Sequence, residues 1–241
     1  MGSARIVAII QGRMASSRLP GKVLMDIAGE AMLGHVVARA RQAKRIDEVV
    51  VATTNEPEDV AIERYCQERN IPVYRGSLND VLDRFYQAAK VCHAGVVVRL
   101  TADCPLLDPG VVDHTVEVFL EKGVDFAANR LPPPFKRTYP IGLDTEVCTF
   151  AALERAWREA TAPYEREHVM PYLYDVAGRF KILRVDYEQD YGDRRWTVDT
   201  PEDLELVRQI FARLKDKNNF SWLDVLAIFV AEPELTQING Q

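Results

Sequence analysis

Residues 11–24 read QGRMASSRLPGKVL and follow a largely apolar run, 4–10. The stretch holds three cations (Arg13, Arg18, Lys22), two glycines, two serines and a proline, but no acid. Such a loop suits an anion. Backbone N–H groups exposed by glycine can wrap a polyphosphate while Lys and Arg supply charge. The Walker A pattern does not fit, because Gly12 and Gly21 stand too far apart and Val23 follows Lys22 where a hydroxyl is needed. The dinucleotide fingerprint G-x-G-x-x-G is also missing.

Two aspartates further on have no evident structural task. In RLTADCPLLDP, Asp108 before Pro109 reads as a helix N-cap, which leaves Asp103 over. In WTVDTPEDLELV, Thr200 through Asp203 reads as a capping box with proline at the first helical position, which leaves Asp199 over. Both follow strand-like runs. Two carboxylates at strand ends near a polyphosphate loop suit Mg2+, which takes few protein carboxylates and completes its shell with phosphate oxygens and water. The competing reading is two ordinary turn aspartates. Read as an unpaired acidic couple, the two repel each other, so changing either to Asn is expected to keep or raise stability. Asp108 and Asp203, read as helix-terminal acids, are expected to be silent in turnover.

The elements that must carry these residues follow from hydrophobic periodicity. Runs at 5–11, 48–53, 71–75 and 95–101 are rich in Val and Ile and lack period-two alternation, as strands covered on both faces do. Helices are expected between them at 31–44, 57–69 and 79–93, so the first hundred residues read as a doubly wound α/β unit. In such sheets ligands sit beyond the carboxyl ends of strands, where the basic loop and both aspartates fall. After residue 123 a strand at 124–129 leads into RLPPPFKRTYPIGLDTEV, whose four prolines argue for an irregular excursion. Helices at 150–161 and 164–177, strands at 181–187 and 194–198, a helix from Pro201 to about Lys215 and a last helix from Ser221 complete the expectation. The chain reads as one domain over 1–241 with an excursion near 130–195.

Bulk composition agrees with an ordinary globular protein of 241 residues, 47% hydrophobic and 27% charged. A net charge of −6 implies no broad basic face for nucleic acid. No apolar run is long enough to suggest a membrane span, and the N-terminus reads as a core strand rather than a signal peptide. Cys66, Cys92, Cys104 and Cys148 stand far apart and read as reduced thiols of a cytoplasmic protein.

The stretches QGRMASSRLPGKVLMDI, VYRGSLNDVLDRF, RLTADCPLLDP and WTVDTPEDLELV together resemble the CTP-dependent sugar-acid cytidylyltransferases, which make CMP-Kdo and CMP-acylneuraminate, and within them the spore-coat polysaccharide branch. The resemblance runs from about residue 5 to 210. It implies a three-layer α/β/α sandwich of the Rossmann-like nucleotide-diphospho-sugar transferase type. It implies that Gly12, Arg13, Arg18 and Lys22 hold the CTP triphosphate, with Gln11, Arg75 and Thr101 also on the nucleotide side. Asp103 and Asp199 match a Mg2+ site, and with Lys22 they form the implied catalytic set. YPIGLDTEV resembles the acceptor-side segment, placing Tyr139, Asp144 and Glu146 near a sugar-acid acceptor. His168, in YEREHVMPY, reads either as an acceptor contact or as a packed structural histidine. The proline-rich stretch 131–140 resembles a dimerisation segment, implying a homodimer. The chain departs from the Kdo and neuraminate branches in reading QGR for PAR, and from the neuraminate branch in reading TADCP for a hydroxyl-rich segment. The implied reaction is attack of an acceptor oxygen on the α-phosphate of CTP with loss of pyrophosphate. Two rivals stand beside it: a nucleotidyltransferase with another nucleotide or a phosphorylated acceptor, and a non-catalytic nucleotide-binding domain.

Overall fold

The computed structural model describes residues 4–131 and 137–240. Strand β1 (Ile6–Gln11) is followed by a small hairpin of β2 (Asp26–Ile27) and β3 (Glu30–Ala31), which leads into α1 (Met32–Ala40). Then come β4 (Glu48–Thr54), α2 (Val60–Glu68), β5 (Val73–Gly76), α3 (Val81–Val91), β6 (Val96–Thr101) and α4 (Pro109–Lys122). The second half runs β7 (Phe126–Ala128), β8 (Glu146–Thr149), α5 (Phe150–Glu159), α6 (Pro163–His168), α7 (Pro171–Tyr174), β9 (Ile182–Arg184), α8 (Pro201–Arg213) and α9 (Trp222–Ala231).

Seven strands form one sheet in the order β5-β4-β1-β6-β8-β7-β9. All neighbours are parallel except β8, which runs antiparallel to both β6 and β7. The expected α/β sandwich is therefore present, with a mostly parallel sheet. Its all-apolar strands are explained by burial on both faces. Ile6, Ala8 and Ile10 of β1 join a core with α1, α2 and α4, whereas Val7 and Ile9 join a second core with α3, α5 and the α6–α7 segment. A third core forms where α8 and α9 meet Trp196 and Leu106.

Several boundaries differ from the sequence expectation, for identifiable reasons. The expected helix 164–177 is two short pieces, α6 and α7. Between them Val169 has φ 72 and ψ −57, and Met170 N–H bonds the His168 carbonyl at 2.9 Å, a classic-type γ-turn ahead of Pro171. Residues 194–198 are not a sheet strand, since their pairing is a single bridge, Ile141 to Arg195. Gly142 makes that approach possible: its φ is +109, and a Cβ there would lie 2.8 Å from the Trp196 carbonyl carbon. The excursion also returns to the sheet as β8, seated between β6 and β7. Its proline-rich part, 132–136, expected to serve dimerisation, lies outside the described residues.

Both expected caps are present. Asp108 Oδ1 accepts from Val111 N–H at 2.9 Å. Thr200 accepts from Asp203 N–H at 3.3 Å, and Asp203 returns the bond to Thr200 N–H at 3.0 Å.

Candidate functional site

Parallel pairing in register sets the ends of β1 and β6 side by side, Gln11 opposite Thr101. The loops after these strands therefore leave from one edge of the sheet. They line a cleft of about 770 Å³. Gly12 sits where the loops cross, and a Cβ there would come within 2.9 Å of the Ala102 Cβ. Glycine thus lets the basic loop leave β1 against the neighbouring loop.

Gln11, Gly12, Arg13, Arg18, Lys22, Thr101, Asp103, Asp199 and His168 all line this cleft. The strongest convergence is at Lys22, whose side chain is only 9% exposed. Its Nζ donates to Asp103 Oδ2 at 2.9 Å, to Asp199 Oδ1 at 2.9 Å and to the Val198 carbonyl at 2.6 Å. Burial opposes the ammonium charge, but the two carboxylates outweigh it and hold the Lys22 pKa above its usual value. Asp199 also pairs with Arg18 and Arg195, each at 3.0 Å. Although burial pushes its carboxyl upward, Lys22 and the arginines bring its pKa below the ordinary aspartate range.

Residues separated by almost a hundred positions thus touch one atom. Asp199 is brought there by backbone pairing of its segment with the Asp103 loop, Val198 N–H to the Asp103 carbonyl at 2.8 Å. Two carboxylates facing a common point, already holding a cation, are a donor set that fits a hard divalent ion completed by substrate oxygens. Among the described residues no cluster of three or more His, Cys, Asp or Glu gathers as an all-protein metal cage.

The acidic pair is therefore not unpaired in this protein, and the expected stability gain on neutralising either member is corrected: each is the counter-charge of a buried lysine. Asp203 is also more than a helix-terminal acid. Its carboxylate accepts from the Asp199 and Thr200 amides at 2.9 and 3.0 Å and from Arg195 at 2.9 Å, so it holds the loop that presents Asp199. Burial notwithstanding, the Arg195 and Asn239 hydrogen bonds lower its pKa to about 2.

Four expected site residues do not line the cleft. Arg75 spends its guanidinium on the Thr54 and Glu56 carbonyls and on Glu63, each at 2.9 Å. Tyr139 is buried in the third core, with ring centroids 5.6 Å from both Tyr187 and Trp222. Asp144 is paired with Arg137 at 2.9 Å. Glu146 reaches the cleft only through Arg99, which it pairs with and which in turn donates to Gln11 at 3.1 Å. His168 is not packed into a core: it is exposed at the end of α6, with its ring 5.1 Å from Tyr164.

Sequence reasoning missed Arg84. It lines the cleft, is 3% exposed and forms no salt bridge among the described residues; its Nη1 donates to the Ser77 carbonyl at 2.6 Å and its Nε finds no partner among them. Burial, and then the nearby Arg13, push its pKa down to about 10. Asp59 and Asp80 offset this only in part, so the two neighbouring arginines leave a charge that an anion can neutralise. The available signal was a cation inside an apolar stripe, among Val81, Leu82, Phe85 and Ala88.

The chain matches the family described as Cytidylyltransferase over residues 7–230. It is similar to the spore coat polysaccharide biosynthesis protein SpsF of Bacillus subtilis (strain 168), 30% identical with 95% of each chain covered. It is also similar to a 3-deoxy-manno-octulosonate cytidylyltransferase of Anaeromyxobacter sp. (strain Fw109-5), 30% identical over 86% of this chain and 97% of the relative. Among solved structures, a cytidylyltransferase from Leptospira borgpetersenii serovar Hardjo-bovis (strain JB197) superposes with a TM-score of 0.91 at 34% identity, covering 97% of both chains.

Proposed function

This chain belongs to the cytidylyltransferase family, and we propose that it transfers CMP from CTP to a hydroxyl of a sugar acid or related sugar, releasing pyrophosphate, in the biosynthesis of a surface polysaccharide or glycoconjugate. One observation carries the reading: Lys22, Asp103 and Asp199 meet at the carboxyl edge of the sheet, in a cleft also lined by Arg13 and Arg84, and the buried Arg84 side chain keeps an Nε with no hydrogen-bond partner among the described residues. The acceptor class is supported by relatives named for polysaccharide biosynthesis and for 3-deoxy-manno-octulosonate.

In this reaction an acceptor hydroxyl oxygen forms a bond to the α-phosphorus and gives its proton to solvent or to the leaving group, while the bond from the α-phosphorus to the bridging oxygen breaks and pyrophosphate leaves. Catalysis is mainly positioning and charge neutralisation. Gly12 lets loop backbone approach the nucleotide, and Arg13, Arg18 and Arg84 meet its phosphates. Each charge-assisted contact is worth about 1.5–3 kcal/mol. When Lys22 releases its carboxylates, its ammonium becomes available to phosphate. Asp103 and Asp199 are the residues that would hold Mg2+, which supplies Lewis-acid polarisation of the phosphoryl oxygens when bound. Glu167 and His168 of α6 also line the cleft, and we assign them to the acceptor side.

The test is pyrophosphate release from CTP with Mg2+ across a panel of 3-deoxy sugar acids, neutral sugars and sugar phosphates. Release with a sugar acid is the expected result. CTP binding without turnover on any acceptor would instead make the chain a nucleotide-binding domain, and equal use of other nucleotides would remove the cytosine assignment.

A further inference from the structure

The match to the family ends at residue 230, yet the chain continues and returns to the site. After α9, Arg213 pairs with Glu232 at 2.7 Å and Leu235 is buried in the third core, so the tail is anchored along α8. It then delivers Asn239, whose Nδ2 donates to the Arg195 carbonyl at 3.2 Å and to Asp203 Oδ1 at 3.0 Å.

These two acceptors bracket one loop, Arg195 before it and Asp203 in the first turn of α8 that follows it. Residues 195–203 carry Val198, whose carbonyl holds Lys22, and Asp199, whose carboxylate faces the cleft. The loop is already drawn together by Arg195, whose Nη2 is shared between Asp199 Oδ2 at 3.0 Å and Asp203 Oδ2 at 2.9 Å. Arg195 reaches Asp203 Oδ1 only at 3.3 Å, so Asn239 is the nearer donor to that oxygen. Without it, that buried oxygen keeps the longer bond from Arg195 and loses the shorter one. Arg195, which already grips Asp203 at two points, Nε to Oδ1 at 3.3 Å and Nη2 to Oδ2 at 2.9 Å, can then tighten on Oδ1, which draws the guanidinium away from Asp199.

We propose that Asn239 is a positioning residue for Asp199: its amide fastens both ends of the loop that presents that carboxylate to the cleft. Partners of this outer kind govern how well a ligating carboxylate is aimed. The consequence for cation binding rests on the function proposed above; the fastening of the loop does not.

The test compares Asn239→Asp, which keeps the shape but replaces the donor with an acceptor, and Asn239→Leu with the unaltered protein. Amide hydrogen exchange is followed at Asp199 and Thr200, with the amides of β1 as internal reference. Mn2+ binding in the presence of CTP is followed by electron paramagnetic resonance, with Asp199→Asn alongside. Both Asn239 variants are expected to lose protection at Asp199 and Thr200 by about tenfold while β1 is unchanged, and to bind Mn2+ at least about tenfold more weakly. Retained protection in Asn239→Asp overturns the proposal, as does a loss shared equally by β1, which would make Asn239 a general stabiliser. If Asp199→Asn weakens Mn2+ binding and the Asn239 variants do not, the positioning of the carboxylate is overturned. If Asp199→Asn itself leaves Mn2+ binding unchanged, the metal assignment falls and the exchange result alone decides the proposal.

Discussion

At the scale of single residues, Lys22 organises the site. Its three N–H groups are all committed, two to carboxylates and one to a carbonyl. In the nucleotide-free protein it is the counter-charge of Asp103 and Asp199. Asp103→Asn and Asp199→Asn are expected to lower the melting temperature, by about 1–3 kcal/mol of stability, because each weakens the partnership of a buried ammonium. The same variants are expected to reduce pyrophosphate release by orders of magnitude. Normal turnover in either would remove the assignment. Lys22→Ala leaves the carboxylates facing each other with less counter-charge, so calorimetry without nucleotide is expected to show tighter Mn2+ binding than in the unaltered protein. Equal affinity would mean that the two acids do not share an ion.

At the scale of elements, the loop 195–203 and the start of α8 position the chemistry. Asp203 has a folded pKa of about 2 against an ordinary value of 3.8, so it contributes stability that is fully present above about pH 4 and is lost as pH falls toward 2. The shift corresponds to roughly 2 kcal/mol. Asp203→Asn is expected to be less stable at neutral pH and to show a shallower acid limb between those values in urea melts followed by circular dichroism. An unchanged acid limb would mean that Asp203 is not held as drawn. Gly142 acts on the same loop from the other side. Gly142→Ala meets the Trp196 backbone at 2.8 Å in a left-handed conformation and is expected to cost a few kcal/mol, read as a lower denaturation midpoint.

At the scale of the molecule, the cleft belongs to the first half of the sheet, and β8, α6 and the tail beyond α9 complete its surroundings. No helix among the described residues is long and apolar enough to cross a membrane. We propose that the protein works as a homodimer, on the resemblance carried by 131–140. Light scattering at micromolar concentration is expected to give about twice the chain mass of 27.3 kDa, and a monomer would remove that assignment.

What the sequence determined by itself was local or periodic. Strands buried on both faces announce themselves as unbroken Val and Ile runs, and caps announce themselves as Asp-Pro and Thr-Pro-Glu-Asp. Subtracting those caps left Asp103 and Asp199 without a task; the parallel sheet sets Asp103 at its carboxyl edge, and the pairing of Val198 with the Asp103 loop brings Asp199 to it. Only the tertiary structure decided which charges meet. Arg75 and Arg84 both lie in VYRGSLNDVLDRF, yet one turns away to Glu63 and two carbonyls while the other enters the cleft. Asp203 looks like any helix-terminal acid until Arg195 and Asn239 close on it. Periodicity records which side chains leave water. The partner of a buried charge is chosen by contacts across the fold, between residues with no fixed spacing in the chain.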